Sequence, residues 1–314
     1  MKAPDHNEMY YFKFSVLSLA YFFAFGLAIH LIAARNTRVY SEMSRVKQTE
    51  YRSYILSMAH AIGCVILATI SMFYICGDGQ TVFNSDECIN TPRYIHIWAL
   101  LHTCGYFLMD FFFLWFVVEG NTALDYQTYA HHLVATATFY QTLYFMDFMV
   151  VFGVMLLFIE ISTIFLSMRW LLFTHGQGQS GIYKINAIAS FFMFLLGRII
   201  YQFYIVFFLG ADWVAREYSK KNLSLYQGTV ITEMAIMVIL SIVLNSYWFI
   251  LMVNMMIRMI KKLGAPAVTD EEKIELVKAD ALAMGGDEAD CGSSTQGSHI
   301  DGGDIVEEGG QEDK

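Results

Sequence analysis

Charged residues and prolines are scarce in this sequence. Asp, Glu, Lys and Arg make up 16% of its 314 residues, whereas a typical soluble domain carries about 25% charged residues. Only 3 prolines interrupt the chain. So few charges could not cover the surfaces of the soluble domains that this length would allow. A soluble enzyme, a nucleic-acid-binding protein and a disordered scaffold are therefore all poor interpretations.

Cysteines are also few, and they do not form a metal-binding pattern. None of the 5 belongs to a CxxC motif or a Cys–His pair with zinc-ligand spacing, so we expect no metal site. Cys76 and Cys88 bracket a short loop between two apolar segments, where an oxidising lumen would permit a disulfide. Two free thiols at the membrane edge are the alternative.

Acidic residues are concentrated in the last part of the chain. Residues 263–314 hold 14 acids and three lysines, a net charge of −11, whereas residues 1–262 hold 15 acids and 17 Lys and Arg. The last part has no aromatic residue, so it cannot bury enough apolar surface to offset the entropy of ordering. We predict an acidic, disordered C-terminal tail over 263–314.

Apolar sequence is abundant, at 56% of the residues. A bilayer core of about 30 Å requires roughly 20 apolar residues in a helix, and helices satisfy their own backbone hydrogen bonds in lipid. We therefore predict an all-α polytopic membrane protein with seven transmembrane helices, the fourth and fifth joined tightly at Met146–Asp147. The predicted spans are Tyr11–Ala33, Ser53–Cys76, Tyr94–Val118, Thr128–Phe145, Asp147–Phe173, Ile182–Leu209 and Thr229–Ile257.

Basic residues in short loops predict the orientation of the chain. Five lie between Ala34 and Arg52. The loops on this side, together with the C-terminal flank, hold ten Lys and Arg, against six on the opposite side. This asymmetry predicts a lumenal N-terminus and a cytosolic C-terminus. Asn222 begins an Asn-Leu-Ser sequon in a predicted lumenal loop, so its glycosylation would support the orientation.

Ionisable residues within the spans normally face a cavity or a partner. Asp110, His131 and His132 are the candidate catalytic residues, near the predicted cytosolic ends of the third and fourth spans. Adjacent helical positions lie about 100° apart, so one imidazole can face a cavity while the other bonds a second helix. An imidazole can act as a base or nucleophile near neutral pH, with Asp110 orienting it. Two interfacial histidines bonded to a loop are the alternative.

Three further charged residues are candidates for substrate binding: Glu160, Arg169 and Arg198. Nine residues separate Glu160 from Arg169, which places them on opposite faces of one helix. Arg198, in the outer half of the sixth span, is the predicted partner of Glu160. An ion pair that ties two helices together is the structural alternative to a binding role.

These residues fall within motifs that resemble the TLC-domain membrane proteins, named for the translocation-associated, longevity-assurance and ceroid-lipofuscinosis proteins. The resemblance covers about Ser53–Ile260 and is most similar to the fourth TLC domain-containing subfamily. Residues 53–262 are therefore the predicted TLC domain. Residues 1–52 lie outside it and are predicted to form an N-terminal transmembrane helix and a basic cytosolic loop. The motifs are Gly105–Asp110, Ala130–Val134, Glu160–Phe165, Arg169-Trp170 and Phe194–Arg198.

The resemblance implies a six-helix bundle that encloses a lipid-sized cavity, usually in the endoplasmic reticulum. Its ceramide synthase branch transfers an acyl chain from acyl-CoA to a sphingoid base, and there the HH pair is followed by HDxxD and a downstream Glu. In this sequence Ile159-Glu160 stands where His-Asp would be, Thr163 replaces the second Asp and Ser167 replaces the Glu. The non-synthase branches are associated with membrane lipid composition and homeostasis.

We therefore predict a protein of membrane lipid homeostasis that binds membrane lipids or acyl chains within the bundle, with the candidate catalytic residues at its cytosolic mouth. One alternative is an acyl-CoA-dependent N-acyltransferase, with acyl-CoA as co-substrate and His131 as nucleophile or base. Another is a structural subunit of a membrane complex. A seven-helix receptor is a poor interpretation, because Thr229–Ile257 contains no lysine for retinal. Neither a resident cofactor nor a nucleic-acid partner is expected.

Overall fold

The computed structural model describes residues 8–117, 123–143, 148–219 and 225–264. The chain divides into two units, Met1–Lys262 and Leu263–Lys314, and only the first two residues of the second unit are among those described. The predicted hairpin junction at Met146–Asp147, the sequon at Asn222 and the acidic tail beyond residue 264 lie outside the described residues.

The regular structure of the described residues is entirely helical. Three helices continue directly into irregular turns: a 3-10 turn over Leu157–Glu160 and π-helical turns over Leu195–Tyr201 and Ile205–Gly210. The α-helices are α1 Glu8–Asn36, α2 Arg38–Ser41, α3 Arg45–Phe73, α4 Asp86–Asn90, α5 Tyr94–Val117, α6 Ala123–Leu143, α7 Phe148–Leu156, α8 Ile161–Thr174, α9 Gly181–Phe194, α10 Gln202–Tyr204, α11 Ala211–Ser219 and α12 Leu225–Gly264.

Six helical stretches within the described residues are long and apolar enough to cross a bilayer, which makes this a polytopic membrane protein. They correspond to six of the seven predicted spans. The predicted span Thr128–Phe145 forms the helix α6, but α6 is not among the six. Its 21 residues are long enough; the reason is its polar content, which includes His131, His132 and several threonines and glutamines. The prediction of a helix here is met, whereas its classification as an apolar span is not.

Capping residues and proline placement define the helix ends. Ser44 and Ser180 accept hydrogen bonds from backbone N–H groups in the first turns of α3 and α9, at 3.3 and 3.1 Å, which satisfies donors that a helix start leaves unpaired. Pro92 lies two residues before α5, where its missing N–H costs nothing. The long spans therefore begin and end at locally encoded signals.

Helix α5 is the centre of the bundle, and α12 is at its periphery. Helix α5 packs against α1, α3, α6 and α7. In its apolar membrane-spanning stretch 67% of the residues are buried, against 11% in that of α12. Helix α1 lies outside the predicted TLC bundle in sequence, yet Phe22 is fully buried in the same core as Leu100 and Met109. The first helix is therefore packed into the bundle, not merely attached to it.

A disulfide-linked loop covers one end of the bundle. Cys76 and Cys88 are joined, with their Cα atoms 5.7 Å apart, and α4 begins within the loop that they close. Trp213 of α11 donates to Asn90 Oδ1 at 2.9 Å and stacks on Phe148 at 4.5 Å between ring centroids. Helix α11 is thus held against the disulfide-linked loop.

The disulfide predicts a redox-dependent gel mobility. Cleaving a crosslink lets the denatured chain expand, so the full-length protein should migrate faster without reductant than with it. The Cys88→Ser variant should show only the slower, reduced position. Cys104→Ser is the matched control, since Cys104 is a free and buried thiol and its loss should leave the shift intact. A wild-type protein that migrates identically with and without reductant would contradict the assignment.

The basic segment between α1 and α3 folds back onto the opposite end. Tyr40 of α2 is completely buried, and its hydroxyl lies 2.7 Å from His30 Nδ1. Gln48 donates to the Tyr40 carbonyl at 3.1 Å. Burial raises the pKa of the Tyr40 phenol, because the charged form is disfavoured away from water. The segment is therefore a structured turn in which Arg38 and other basic residues remain on the surface.

Candidate functional site

A cavity lies between α6 and α12. Its outer part has a volume of about 530 Å³ and is lined only by residues of these two helices, including Val134 of α6 and Leu240 and Leu244 of α12. A hydrogen bond from Gln141 Nε2 to Glu233 Oε2, at 2.9 Å, joins the two helices beyond the cavity. Because α12 is so little buried, the outer part opens sideways, toward the region that lipid would occupy.

A smaller pocket of about 90 Å³, the inner part of the cavity, lies next to the outer part on the side of α5 and α7. His131, Met237 and Ser241 line both parts and therefore form the wall that they share. The inner walls are mainly apolar, but Glu160 and Gln202 lie at its end. The cavity thus has mainly apolar walls, with the polar side chains of Glu160 and Gln202 in the lining of its inner part.

The neighbouring histidines of α6 face different surroundings. His131 faces the cavity, whereas His132 Nδ1 lies 3.3 Å from Asp110 Oδ2 of α5. The angles at this contact are not those of a hydrogen bond, so it is a close polar contact. Ser53 of α3 donates to Asp110 Oδ1 at 2.7 Å. Asp110 therefore lies against His132 and is itself fixed by the hydrogen bond from Ser53.

The three candidate catalytic residues do not all border the cavity. The cavity does not include Asp110 or His132 in its lining, so of the three candidate catalytic residues only His131 borders it. Because α6 begins at Ala123, His131 is about 12 Å from the helix start at 1.5 Å per residue, close enough to share a wall with Glu160.

Aromatic rings enclose the pair formed by Asp110 and His132. Phe107 stacks on His132 with centroids 4.3 Å apart, and His60 stacks on Tyr106 at 4.1 Å. His60 and Asp110 are 2% and 3% exposed. This tight packing favours a fixed role in the bundle for Asp110 and His132 and leaves His131 as the accessible imidazole.

Glu160 and Arg198 lie in one buried polar network. Arg198 Nη2 is 3.2 Å from Glu160 Oε2 and donates to Thr163 Oγ1 at 2.7 Å. Its Nε donates to Ser162 at 2.7 Å, and its Nη1 donates to Asn245 of α12 at 3.2 Å. The guanidinium is thereby bonded on all three nitrogens, as a charge at this depth requires.

Irregular turns bring the network together. The 3-10 turn over Leu157–Glu160 ends at Glu160, and the π turn over Leu195–Tyr201 contains Arg198. These turns pack closely, since a Cβ on Gly197 would lie 3.1 Å from Ile161 Cγ2. Such departures from α-helical geometry occur frequently at functional sites, and here they aim two charged side chains at each other.

Three neutral residues of the network escaped the sequence prediction: Gln202, Ser241 and Asn245. Asn245 donates to Gln202 Oε1 at 2.8 Å, and Gln202 donates to Ser241 at 3.0 Å. The prediction considered ionisable residues only. A usable signal was nevertheless present, because a glutamine and an asparagine within apolar spans also need hydrogen-bond partners in lipid.

Arg169 does not join the other candidates. Its Nε donates to the Tyr183 hydroxyl at 3.0 Å and its Nη1 contacts Met255 Sδ, so its hydrogen-bonding groups among the described residues point to α9 and α12 and not to the histidine pair. Within the described ranges, no group of His, Cys, Asp or Glu has an arrangement that could hold a metal ion. The site consequently comprises the cavity, His131 and the Glu160–Arg198 network.

The fold and the site define a class of protein: a helical membrane protein with a mainly apolar cavity between two of its helices. Comparison with known families gives the identification. The chain belongs to the TLC domain family, whose match covers residues 50–254. This match includes the cavity, both candidate clusters and every described helix from α4 to α11.

Curated relatives agree with this assignment. A stretch of 132 residues is 30% identical to TLC domain-containing protein 1 of Rattus norvegicus, covering 39% of this chain and 53% of the relative. The Homo sapiens protein of the same name is 28% identical over 106 residues, covering 34% and 42%. The match thus spans about half the length of these relatives. The predicted similarity to the fourth subfamily stays a prediction.

Proposed function

We propose that this protein acts in membrane lipid homeostasis by holding an acyl lipid in the cavity between α6 and α12. The observation that carries the proposal is the cavity itself. Its outer part, at about 530 Å³, lies within the range of about 300–1,000 Å³ that is usual for small-molecule sites. Its apolar walls suit a hydrocarbon chain, which would enter from the bilayer without crossing water.

Polar groups at the cavity wall support a lipid with a hydrogen-bonding group. Gln127 Oε1 is buried there without a hydrogen-bond partner, and a buried acceptor left unpaired is unfavourable. His131 lies one helical turn further along the same face, since residues four apart are neighbours on a helix. A hydroxyl, amide or ammonium group of a lipid would satisfy Gln127. The proposed cellular site is the endoplasmic reticulum, as the family resemblance implies.

Filling the cavity should abolish lipid retention. Met237 lines both its outer and inner parts, so the indole of Met237→Trp would occupy the space of the acyl chain. We expect the purified wild-type protein to retain an acyl lipid in native mass spectrometry, and Met237→Trp to retain about tenfold less or none, since a filled pocket loses the apolar burial that drives binding.

Ile239→Trp is the matched control for this experiment. Ile239 is two residues from Met237 on the same helix, is 55% exposed and does not line the cavity. It should retain lipid as the wild type does. Equal lipid retention by Met237→Trp, or a wild-type protein that carries no lipid after mild purification, would refute the proposal.

The N-acyltransferase alternative has one observation in its favour, the imidazole of His131 at the cavity wall. If this imidazole were a general base, its loss would reduce turnover by about 10²–10⁴-fold. Acyl transfer should then be measured with purified protein and a panel of acyl-CoA chain lengths. Turnover that is lost in His131→Ala and retained in Ile239→Trp would favour the enzyme, whereas lipid retention without turnover favours the homeostasis role.

A further inference from the structure

Arg169 is a buried cation without an acidic partner among the residues that the structure describes. It is 5% exposed, and its contacts are the Tyr183 hydroxyl and the Met255 thioether, with the guanidinium 5.4 Å from the Tyr183 ring centroid. A phenol and a thioether do not neutralise a guanidinium. Because an uncompensated charge within a membrane protein is costly, its presence calls for an anion.

A second guanidinium lies one helical turn along α12 from the Arg169–Met255 contact. Arg258 Nε is buried and has no hydrogen-bond partner. Arg258 follows Met255 by three residues on α12, and residues at this spacing are neighbours on one helix face. Since Met255 contacts Arg169, Arg258 lies one turn along α12 from that contact. The two observations are independent, because they concern different helices and different atoms.

The location of this pair matches the depth of lipid headgroups. Helix α8 ends at Thr174 and α9 begins at Gly181, and Met255 of α12 contacts Arg169 near this end of α8. Arg169 and Arg258 lie about 7–9 Å inside their helix ends at 1.5 Å per residue. Long arginine side chains can reach the headgroup region from that depth.

We propose that Arg169, Arg258 and Tyr183 form a binding site for a phosphate group, the headgroup phosphate of an anionic phospholipid being the source that its depth favours. Guanidinium groups offer the paired donors that phosphate oxygens accept. The Tyr183 hydroxyl accepts from Arg169 Nε, so its own proton is free to bond a phosphate oxygen. None of the three lines the cavity between α6 and α12, and the proposal does not depend on the proposed function.

The test is a titration of purified full-length protein with phosphatidic acid, followed by native mass spectrometry. We expect saturable binding, with Kd raised about tenfold in Arg258→Gln and at least as much in Arg169→Met, since each loses a hydrogen bond to a charged group. Arg169→Met should fold, because apolar replacement of a buried charge is often neutral or stabilising. The control is Arg38→Gln, which removes an exposed charge paired with Glu42 and should bind as the wild type.

Added inorganic phosphate distinguishes the source of the phosphate group. Lipid binding that resists excess inorganic phosphate assigns the site to a phospholipid, whereas displacement assigns it to a soluble phosphate compound. Equal Kd values for the wild type and both variants, with thermal unfolding showing all three folded, would overturn the proposal. It would also be overturned if removal of residues 265–314 abolished the difference between Arg258→Gln and the wild type, since the acidic tail would then be the partner.

Discussion

Replacing Arg198 by methionine is expected to destabilise the bundle by about 3–5 kcal/mol, the usual cost of removing one partner from a buried ion pair. Its guanidinium is bonded to Glu160, Ser162, Thr163 and Asn245. Without it, the Glu160 carboxylate would stay buried, with the Thr163 hydroxyl as its remaining donor among the described residues. The measurement is thermal unfolding of the purified protein in detergent, followed by tryptophan fluorescence.

The double variant Glu160→Gln/Arg198→Met tests whether the unpaired Glu160 carboxylate causes the destabilisation. Removing both charges takes away the uncompensated carboxylate, so the double variant should be clearly more stable than Arg198→Met alone. Arg38→Gln provides a reference for an exposed arginine and should unfold at the wild-type temperature. If Arg198→Met unfolded at the wild-type temperature, the Glu160–Arg198 ion pair would not stabilise the bundle. The same conclusion would follow if the double variant were no more stable than Arg198→Met.

Replacing Gly105 by alanine is expected to lower the free energy of unfolding by about 1–3 kcal/mol, the cost of forcing extra volume into a packed interface. Gly105 lies where α5 contacts α1. A Cβ there would overlap the Ser18 side chain and lie 3.0 Å from the Leu19 backbone nitrogen. Neither obstacle is the flexible end of a side chain, so α1 would have to move away from α5.

Gly63→Ala is the matched control for this substitution. The nearest atom to a Cβ on Gly63 is His102 Nε2 at 3.5 Å, an ordinary contact distance. Because alanine favours a helix over glycine by up to about 1 kcal/mol, Gly63→Ala should be neutral or stabilising in the same unfolding assay. A lower free energy of unfolding for Gly105→Ala, together with an unchanged or higher one for Gly63→Ala, would establish close packing at Gly105. Equal changes in the two variants would exclude it.

The helical membrane architecture follows from local sequence. Apolar runs of sufficient length must form helices in lipid, and serine caps such as Ser180 and the placement of Pro92 define where they begin. The Glu160–Arg198 pairing also follows from a single rule, that a charge in a span needs a partner. Helix α6 shows the limit of counting apolar residues, because a helix with many polar side chains can still pack against α5 and α7 within the bundle.

The roles of the two histidines illustrate what sequence could not decide. Helical spacing separates His131 and His132 by about 100°, but it does not say which one faces a cavity. The answer depends on the position of α5, whose Asp110 holds His132, and on the gap that α12 leaves beside His131. These contacts join residues that are far apart in the chain. A local sequence pattern contains no information about them.

The sequence by itself determined that this is an α-helical membrane protein of the TLC type with a few charged residues at membrane depth, because hydropathy, capping and residue order are local properties. Only the tertiary structure decided which of those residues act together. It joined Gln202, Ser241 and Asn245 to the Glu160–Arg198 pair, placed His131 but not Asp110 or His132 at the cavity wall, and left Arg169 without an acidic partner among the described residues. The physical reason is that burial and charge compensation depend on neighbouring helices, whose arrangement the packing of the whole bundle sets.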